Sequence, residues 1–276
     1  GLGMGHYRLP LTCHKRLTFR KHRTNKGKCM SQLAGKTVII TGSSRGVGAD
    51  TAQILAAQGA NIIVNYRSKA PRANKVVKAI EEAGGHATAV QADVTKSEDL
   101  TNLVNVAIET YGSLDYLILN ASGGMESGMG EDYAMRLNRD AQLNLARLAA
   151  EKMPNGGRIV FVTSHQAHFI REVETLAEYQ SVAESKRAGE DALIAEIPAL
   201  TEKGISLVVV SADMIEGTVT ATLLNRLHPG ALEYRRETAG RLYTVNEFAL
   251  EVAAMVTADV QTGHVELVGG ARGFID

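Results

Sequence analysis

The chain has 276 residues, 45% of them hydrophobic and 22% charged, with a formal charge of zero. That is the composition of a globular protein, and no stretch approaches the run of about 20 apolar residues that a membrane span needs. The only two cysteines, Cys13 and Cys29, leave the chain after residue 29 without a thiol for a disulfide framework or a cysteine metal site, so a reducing, cytoplasmic setting and no metal are expected.

The zero charge conceals two unlike parts. Residues 1–34 hold eight Lys or Arg and no acid, leaving 22 basic and 30 acidic residues for the remainder. This leader has no sustained helical or strand period, so it is expected to be a basic extension, disordered or foreign to the natural protein. Three readings stand open for it. It has the basic, acid-free, Ser/Thr-containing character of a transit peptide for organelle import; it is also suited to an arm that binds nucleic acid nonspecifically. The third and preferred reading is a vector-derived or mis-assigned start, with Met30 opening the natural chain, and on that reading no nucleic-acid partner is expected. Residues 35–276 are then the working domain.

In chain order, a first strand is expected over residues 37–41 and a helix over 47–58. A second strand follows at 61–65, then a helix over 73–83 that stops at the paired Gly84 and Gly85. Further strands are expected at 87–91, 116–119, 158–163, 206–211 and 265–268, nearly all separated by helical patterns. Such alternation requires crossover connections, which predicts a single-domain α/β fold: a Rossmann-type doubly wound parallel sheet with helices on both faces. Residues 123–130 and 212–242 break the rhythm just after strand ends, the edge where open α/β sheets bind ligands, and are expected to wall a substrate pocket.

Directly after the first strand comes TGSSRGVG, which places Gly42, Gly46 and Gly48 between a strand and a helix. Glycines there permit a tight turn and a close backbone approach, and the following helix N-terminus aims free amides at a pyrophosphate. The spacing Gly42-x-x-x-Gly46-x-Gly48 resembles the cofactor loop of the short-chain dehydrogenase/reductase family, and the resemblance runs from residue 36 to residue 276. It implies cofactor contacts at Ser44, Arg45 and Val47 within the loop, at Asp93 and Val94 in ADVT beside the adenine, and at Asn120 in LNASGG. It also implies an active-site Asn138 in MRLNRDAQ, a catalytic Ser164 in VFVTS and a catalytic Lys186 in ESKRAGE that also binds the nicotinamide ribose. A small-molecule carbonyl or alcohol substrate follows from the same resemblance. So does a closed homo-oligomer, tetramer or dimer, with contacts on the helices that hold Asn138 and Lys186.

An acid at the end of the second strand of a dinucleotide fold accepts from the ribose hydroxyls and repels a 2′-phosphate, whereas an arginine there favours the phosphate. Here the sequence reads NIIVNYRSK: Asn65 stands in place of the acid, with Arg67 close behind and Arg45 inside the glycine loop. Two guanidiniums suit a dianionic phosphate, so NADP(H) is the expected cofactor.

In the family a tyrosine in a Tyr-x-x-x-Lys helix protonates the carbonyl oxygen that hydride transfer makes anionic, with a serine holding that oxygen. This chain departs from the pattern. Four residues before Lys186 stands Val182, and the nearest tyrosine, Tyr179, lies seven residues before the lysine. On one continuous helix the two would share a face but sit about 10.5 Å apart along the axis rather than about 6 Å. Tyr179 is therefore a strained candidate donor unless the chain before it leaves the helix, and His165 and His168 stand as substitutes. A second departure, Asp213 and Glu216 in SADMIEGT, puts two carboxylates near the pocket, either to orient or repel a substrate or simply to solvate a turn. The leading expectation is an NADPH-dependent carbonyl reductase, or an alcohol dehydrogenase in reverse. The rival is a dinucleotide-binding family member without hydride chemistry that acts as a sensor or assembly partner.

Overall fold

A computed structural model describes residues 32–126 and 128–276, so the expectations attached to Cys13, Cys29 and Met30 lie outside the described residues. The β-branched runs become seven strands: β1 (Thr37–Ile40), β2 (Asn61–Tyr66), β3 (His86–Gln91), β4 (Tyr116–Leu119), β5 (Arg158–Ser164), β6 (Ser206–Ala212) and β7 (Val265–Leu267). Between them run α1 (Gly46–Ala57), α2 (Ala70–Glu82), α3 (Ser97–Tyr111), α4 (Tyr133–Met135), a π-helical turn (Arg136–Asp140) and α5 (Ala141–Ala150). After β5 come α6 (His165–His168), a tight 3-10 turn (Ala177–Tyr179), α7 (Gln180–Ala195) and α8 (Ile197–Glu202). Residues 212–242, which break the rhythm of the sequence, contain α9 (Val219–Leu227) and α10 (Ala231–Ala239), and α11 (Val245–Met255) precedes the last strand.

All seven strands are parallel, in the order β3-β2-β1-β4-β5-β6-β7. Successive residues of β1 face opposite ways, so Ile39 joins Ile63, Leu117, Ile159 and Leu207 under α3, α5 and α7, while Val38 and Ile40 join Ile62, Val64, Val160 and Val208 under α1, α2 and α11. Burial on both faces is why the strands read as nearly continuous apolar runs rather than alternating ones. The chain passes from β1 outward to β2 and β3, then returns to place β4 on the other side of β1. A crevice opens at that reversal, outside the carboxyl ends of β1 and β4, where ligands of such sheets bind.

Leu33 falls within the basic extension expected from charge and the lack of a regular period. It is 1% exposed, packs in the core cluster under α1 and donates its amide to the Gln58 carbonyl at 3.1 Å, so the packed chain begins before residue 35. Among the described residues no helix is long and apolar enough to cross a membrane.

Candidate active site

The glycine loop is locked onto the end of β4. Asn120 donates through Nδ2 to the carbonyls of Thr41 and Gly42, both at 3.2 Å, while the Thr41 hydroxyl accepts from the amides of Asn120 and Ala121. Gly48 is fixed by space: a Cβ there would stand 2.6 Å from the Gly42 carbonyl oxygen and 2.7 Å from Asn120 Nδ2. Gly42 and Gly46 have φ of +61° and +58°, a region that glycine enters without steric cost, and a Cβ at Gly46 would meet nothing within 4 Å. The loop thus turns sharply and leaves its outer surface bare. Helix α1 then begins with no side chain capping its first turn, and Arg45 and Val47 line the crevice. Free amides, a bare glycine loop and an exposed cation fit the pyrophosphate of a dinucleotide.

In a second groove, bordered by Arg67, Asp93 accepts through Oδ1 from the amide and hydroxyl of Thr95. Burial pushes this carboxyl up, but those two hydrogen bonds, together with Lys96 and Arg67, outweigh it and hold the group below the usual carboxylate range. Val94 is buried next to it. Asn65 does not play the part assigned from its position in the sequence. It is 2% exposed, and its side chain is consumed inside the fold: Oδ1 accepts from Gly42 N at 3.0 Å and Nδ2 reaches the carbonyls of Val90 and Ala92. It braces the glycine loop from beneath and contributes no group to the crevice surface. Arg67, two residues on, is exposed and donates through Nη1 to the Tyr133 hydroxyl at 2.6 Å.

The catalytic candidates come together. Leu176 is extended, the chain turns tightly through Ala177–Tyr179, and Tyr179 is the residue from which α7 starts. Tyr179 has helical backbone angles at the N-cap of α7, so it shares a face with Lys186, and the two long side chains together close the distance along the helix. Its hydroxyl lies 3.3 Å from Ser164 Oγ and 3.5 Å from Lys186 Nζ. The seven-residue spacing is therefore no obstacle, and the axial separation expected of a continuous helix is not what decides the geometry. Ser164 ends β5 and its Oγ accepts from Ala167 N, capping α6. Tyr179 and Lys186 are 5% and 8% exposed.

Asn138 sits in the π-helical turn, where one extra residue bends the helix. Its side chain donates to the Gly123 carbonyl at 2.8 Å and to Ser185 Oγ at 3.0 Å, and accepts from Gly123 N at 3.3 Å. It pins the loop after β4 to α7. The two helices meet without clearance there, since a Cβ on Gly189 would fall 2.0 Å from the Asn138 carbonyl oxygen.

The substitute donors lie elsewhere. His165 is 1% exposed; Nε2 is 2.7 Å from the Gly270 carbonyl and Nδ1 is 2.8 Å from Ser211 Oγ. A carbonyl can only accept, so Nε2 carries the proton and Nδ1 accepts from the serine. Burial holds this imidazole below its ordinary value, against smaller opposing effects of the Gly270 carbonyl and Asp213. His168 faces Glu190, which also takes Arg187, in a cluster behind α7. Neither histidine lines the crevice.

The two carboxylates after β6 are both paired. Asp213 lines the crevice but is bound by Arg235 at 2.5 Å, by Gln166 Nε2 at 3.1 Å and by Met214 N. Glu216 pairs with Arg236. Arg235 continues the chain of contacts, donating to the Arg272 carbonyl and lying over the Phe274 ring, which stacks on Phe169. Helix α10 and the residues after β7 are thus tied to the crevice wall.

The crevice widens into a cavity of about 390 Å³. Met125, Val182, Met214, Leu223 and Leu224 supply apolar walls from the two segments that the sequence marked, and from α7. Sequence reasoning named the segments but not these side chains, since nothing in a lone methionine or leucine separates a pocket wall from a core position. Among the described residues there is no group of three His, Cys, Asp or Glu able to hold a metal ion.

Comparison with known proteins shows the family and the fold. The model of the family described as short chain dehydrogenase matches residues 36–226. An uncharacterized oxidoreductase of Methylorubrum extorquens is 32% identical over 254 residues, 88% of this chain and 100% of the relative. A probable tetrahydroxynaphthalene reductase of Zymoseptoria tritici is 39% identical over 140 residues, 49% of this chain, so the match spans about half of that relative's length, 52%. Among solved structures, a 7α-hydroxysteroid dehydrogenase complexed with NADH and 7-oxo glycochenodeoxycholic acid is 28% identical with a TM-score of 0.76, covering 89% of this chain and 97% of that one. An angucycline C-6 ketoreductase with bound NADP is 27% identical with a TM-score of 0.73, covering 87% and 97%. The chain belongs to the short-chain dehydrogenase family.

Proposed function

We propose that this protein is an NADPH-dependent reductase of apolar carbonyl compounds, working reversibly as an alcohol dehydrogenase. The observation that carries the reading is the convergence of Ser164, Tyr179 and Lys186 at the carboxyl edge of the sheet, within an apolar cavity and across from the glycine loop. A reduced nicotinamide bound in the crevice supplies the hydride. Ser164 and Tyr179 hold the carbonyl oxygen through their hydroxyls, and Tyr179 gives up its proton as that oxygen becomes an alkoxide. Lys186, 3.5 Å away, favours the negative charge left on the tyrosine oxygen. Asn138 holds the loop after β4 and α7 in register and so keeps the wall of the cavity in place.

Gly42, Ser44, Arg45, Gly46, Val47 and Gly48 would hold the pyrophosphate, Asp93, Val94 and Asn120 the adenosine side of the groove, and Lys186 the nicotinamide ribose. Preference for the 2′-phosphate rests on Arg45 and Arg67, and on the lack of any acid from Asn61 to Lys69. The solved neighbours do not choose, since one carries NADH and another NADP. The missing Tyr-x-x-x-Lys favours a noncatalytic reading, and the contacts of Tyr179 with Ser164 and Lys186 speak against it. A panel of apolar ketones, followed by loss of reduced-nicotinamide absorbance, tests the proposal. Ketone-dependent oxidation that is faster with NADPH than with NADH is the expected result; a protein that binds dinucleotide and reduces none of them would refute it.

A further inference from the structure

Arg67 stands exposed on the loop after β2, where a long side chain loses about 2 kcal/mol of rotamer freedom when it is fixed. It is nevertheless held: Nη1 donates to the Tyr133 hydroxyl at 2.6 Å, across 66 residues of sequence. Tyr133 opens α4, is 5% exposed and belongs to the same core cluster as Val94, Leu103 and Leu137. A buried ring of this kind is a fixed post beside an exposed cation. Burial pushes the Tyr133 hydroxyl up, with Arg67 opposing, so the group remains a neutral phenol. It accepts from Arg67 and keeps its own proton to donate, and the guanidinium has four further N–H bonds to direct at an anion.

The surroundings explain why a post is needed. Arg67 borders a groove with Gln91, Asp93, Lys96, Asp99 and Met129, so its nearest alternatives are carboxylates. A guanidinium drawn onto Asp93 or Asp99 would present its donors to those acids rather than to the groove.

We propose that Tyr133 is a positioning residue for cofactor choice: it holds the Arg67 guanidinium away from Asp93 and Asp99 and ready for the 2′-phosphate of NADP(H). The inference rests on the NADPH reading above, and its test separates the two. The full chain is titrated calorimetrically with ADP-ribose and with 2′-phospho-ADP-ribose, for the wild type, Tyr133→Phe, Arg67→Ala and the double variant. In Tyr133→Phe the affinity for the phosphorylated ligand is expected to fall roughly three- to tenfold, the usual worth of one hydrogen bond, with ADP-ribose affinity and thermal midpoint unchanged. Arg67→Ala should lose the preference, and Tyr133→Phe should then add nothing, because the tyrosine acts only through the arginine. Tyr133→Phe that leaves both affinities alone, weakens both equally, or has the same effect without Arg67 overturns the role of Tyr133 while leaving the cofactor reading intact. A wild type that does not distinguish the ligands, with Arg67→Ala also indifferent, overturns both.

Discussion

Replacing Tyr179 by Phe isolates the chemistry from the packing. The ring is 5% exposed and belongs to a small cluster with Ala167, Val182, Ala183 and Leu224, so phenylalanine fills the same space. What disappears is the hydroxyl between Ser164 Oγ at 3.3 Å and Lys186 Nζ at 3.5 Å. Ser164 keeps its bond from Ala167 N, whereas buried Lys186 loses a partner, which costs about 1 kcal/mol and lowers the thermal midpoint by roughly 2–4 °C for a domain of this size. The catalytic loss is far larger. General acid catalysis contributes about 10² to 10⁴ in rate, and the Lys186 cation at 3.5 Å attracts the negative charge left on the phenolate. Ketone reduction by Tyr179→Phe should therefore fall by about 10² to 10⁴ in kcat, with NADPH affinity unchanged by calorimetry. Lys186→Ala should damage both. Full activity in Tyr179→Phe would refute the assignment.

The stability of the fold should bend on the acid side because of His165. Its imidazole is held below the ordinary value of 6.5 in the folded protein, so under acid conditions the unfolded chain binds the additional proton and stability falls as pH drops below about 6.5. His165→Gln should be less stable at pH 7.5 yet lose less between pH 7 and pH 5.5, by up to about 1.4 kcal/mol per pH unit; equal slopes in thermal denaturation would contradict this. The family resemblance implies a closed oligomer with contacts on the helices that bear Asn138 and Lys186, so light scattering at micromolar concentration should give a multiple of 29.5 kDa, and a mass of one chain would count against it.

What the sequence discloses is what depends on local pattern. The strands are legible because both faces of a parallel sheet demand apolar residues, and the glycine loop because its turn tolerates nothing larger at Gly48. Ser164 and Lys186 are legible because each sits at a fixed place on a strand end or a helix. Tyr179 resists such reading: the seven-residue spacing puts it on the face of Lys186, but whether the two long side chains close the axial gap is set by their conformations in the packed cleft. Asn65 misleads for a related reason. It occupies the expected strand end, but the side chain points under the glycine loop, and only the neighbouring carbonyls of Val90 and Ala92 reveal why. Asp213 and His165 have partners 22 and 105 residues away, so their pairing is a property of tertiary packing alone.

The contacts of Arg235 bear on how this cleft could be remodelled. Specificity engineering usually treats a stretch such as α9 and α10 as a module to be exchanged with that of a relative. Here the module has a second anchorage, because Arg235 joins the crevice carboxylate Asp213 to the Arg272 carbonyl and the Phe274 ring. A graft of residues 214–242 alone would strand Asp213 and unseat Arg272 and Phe274, whereas one that carries residues 268–276 with it moves the whole unit.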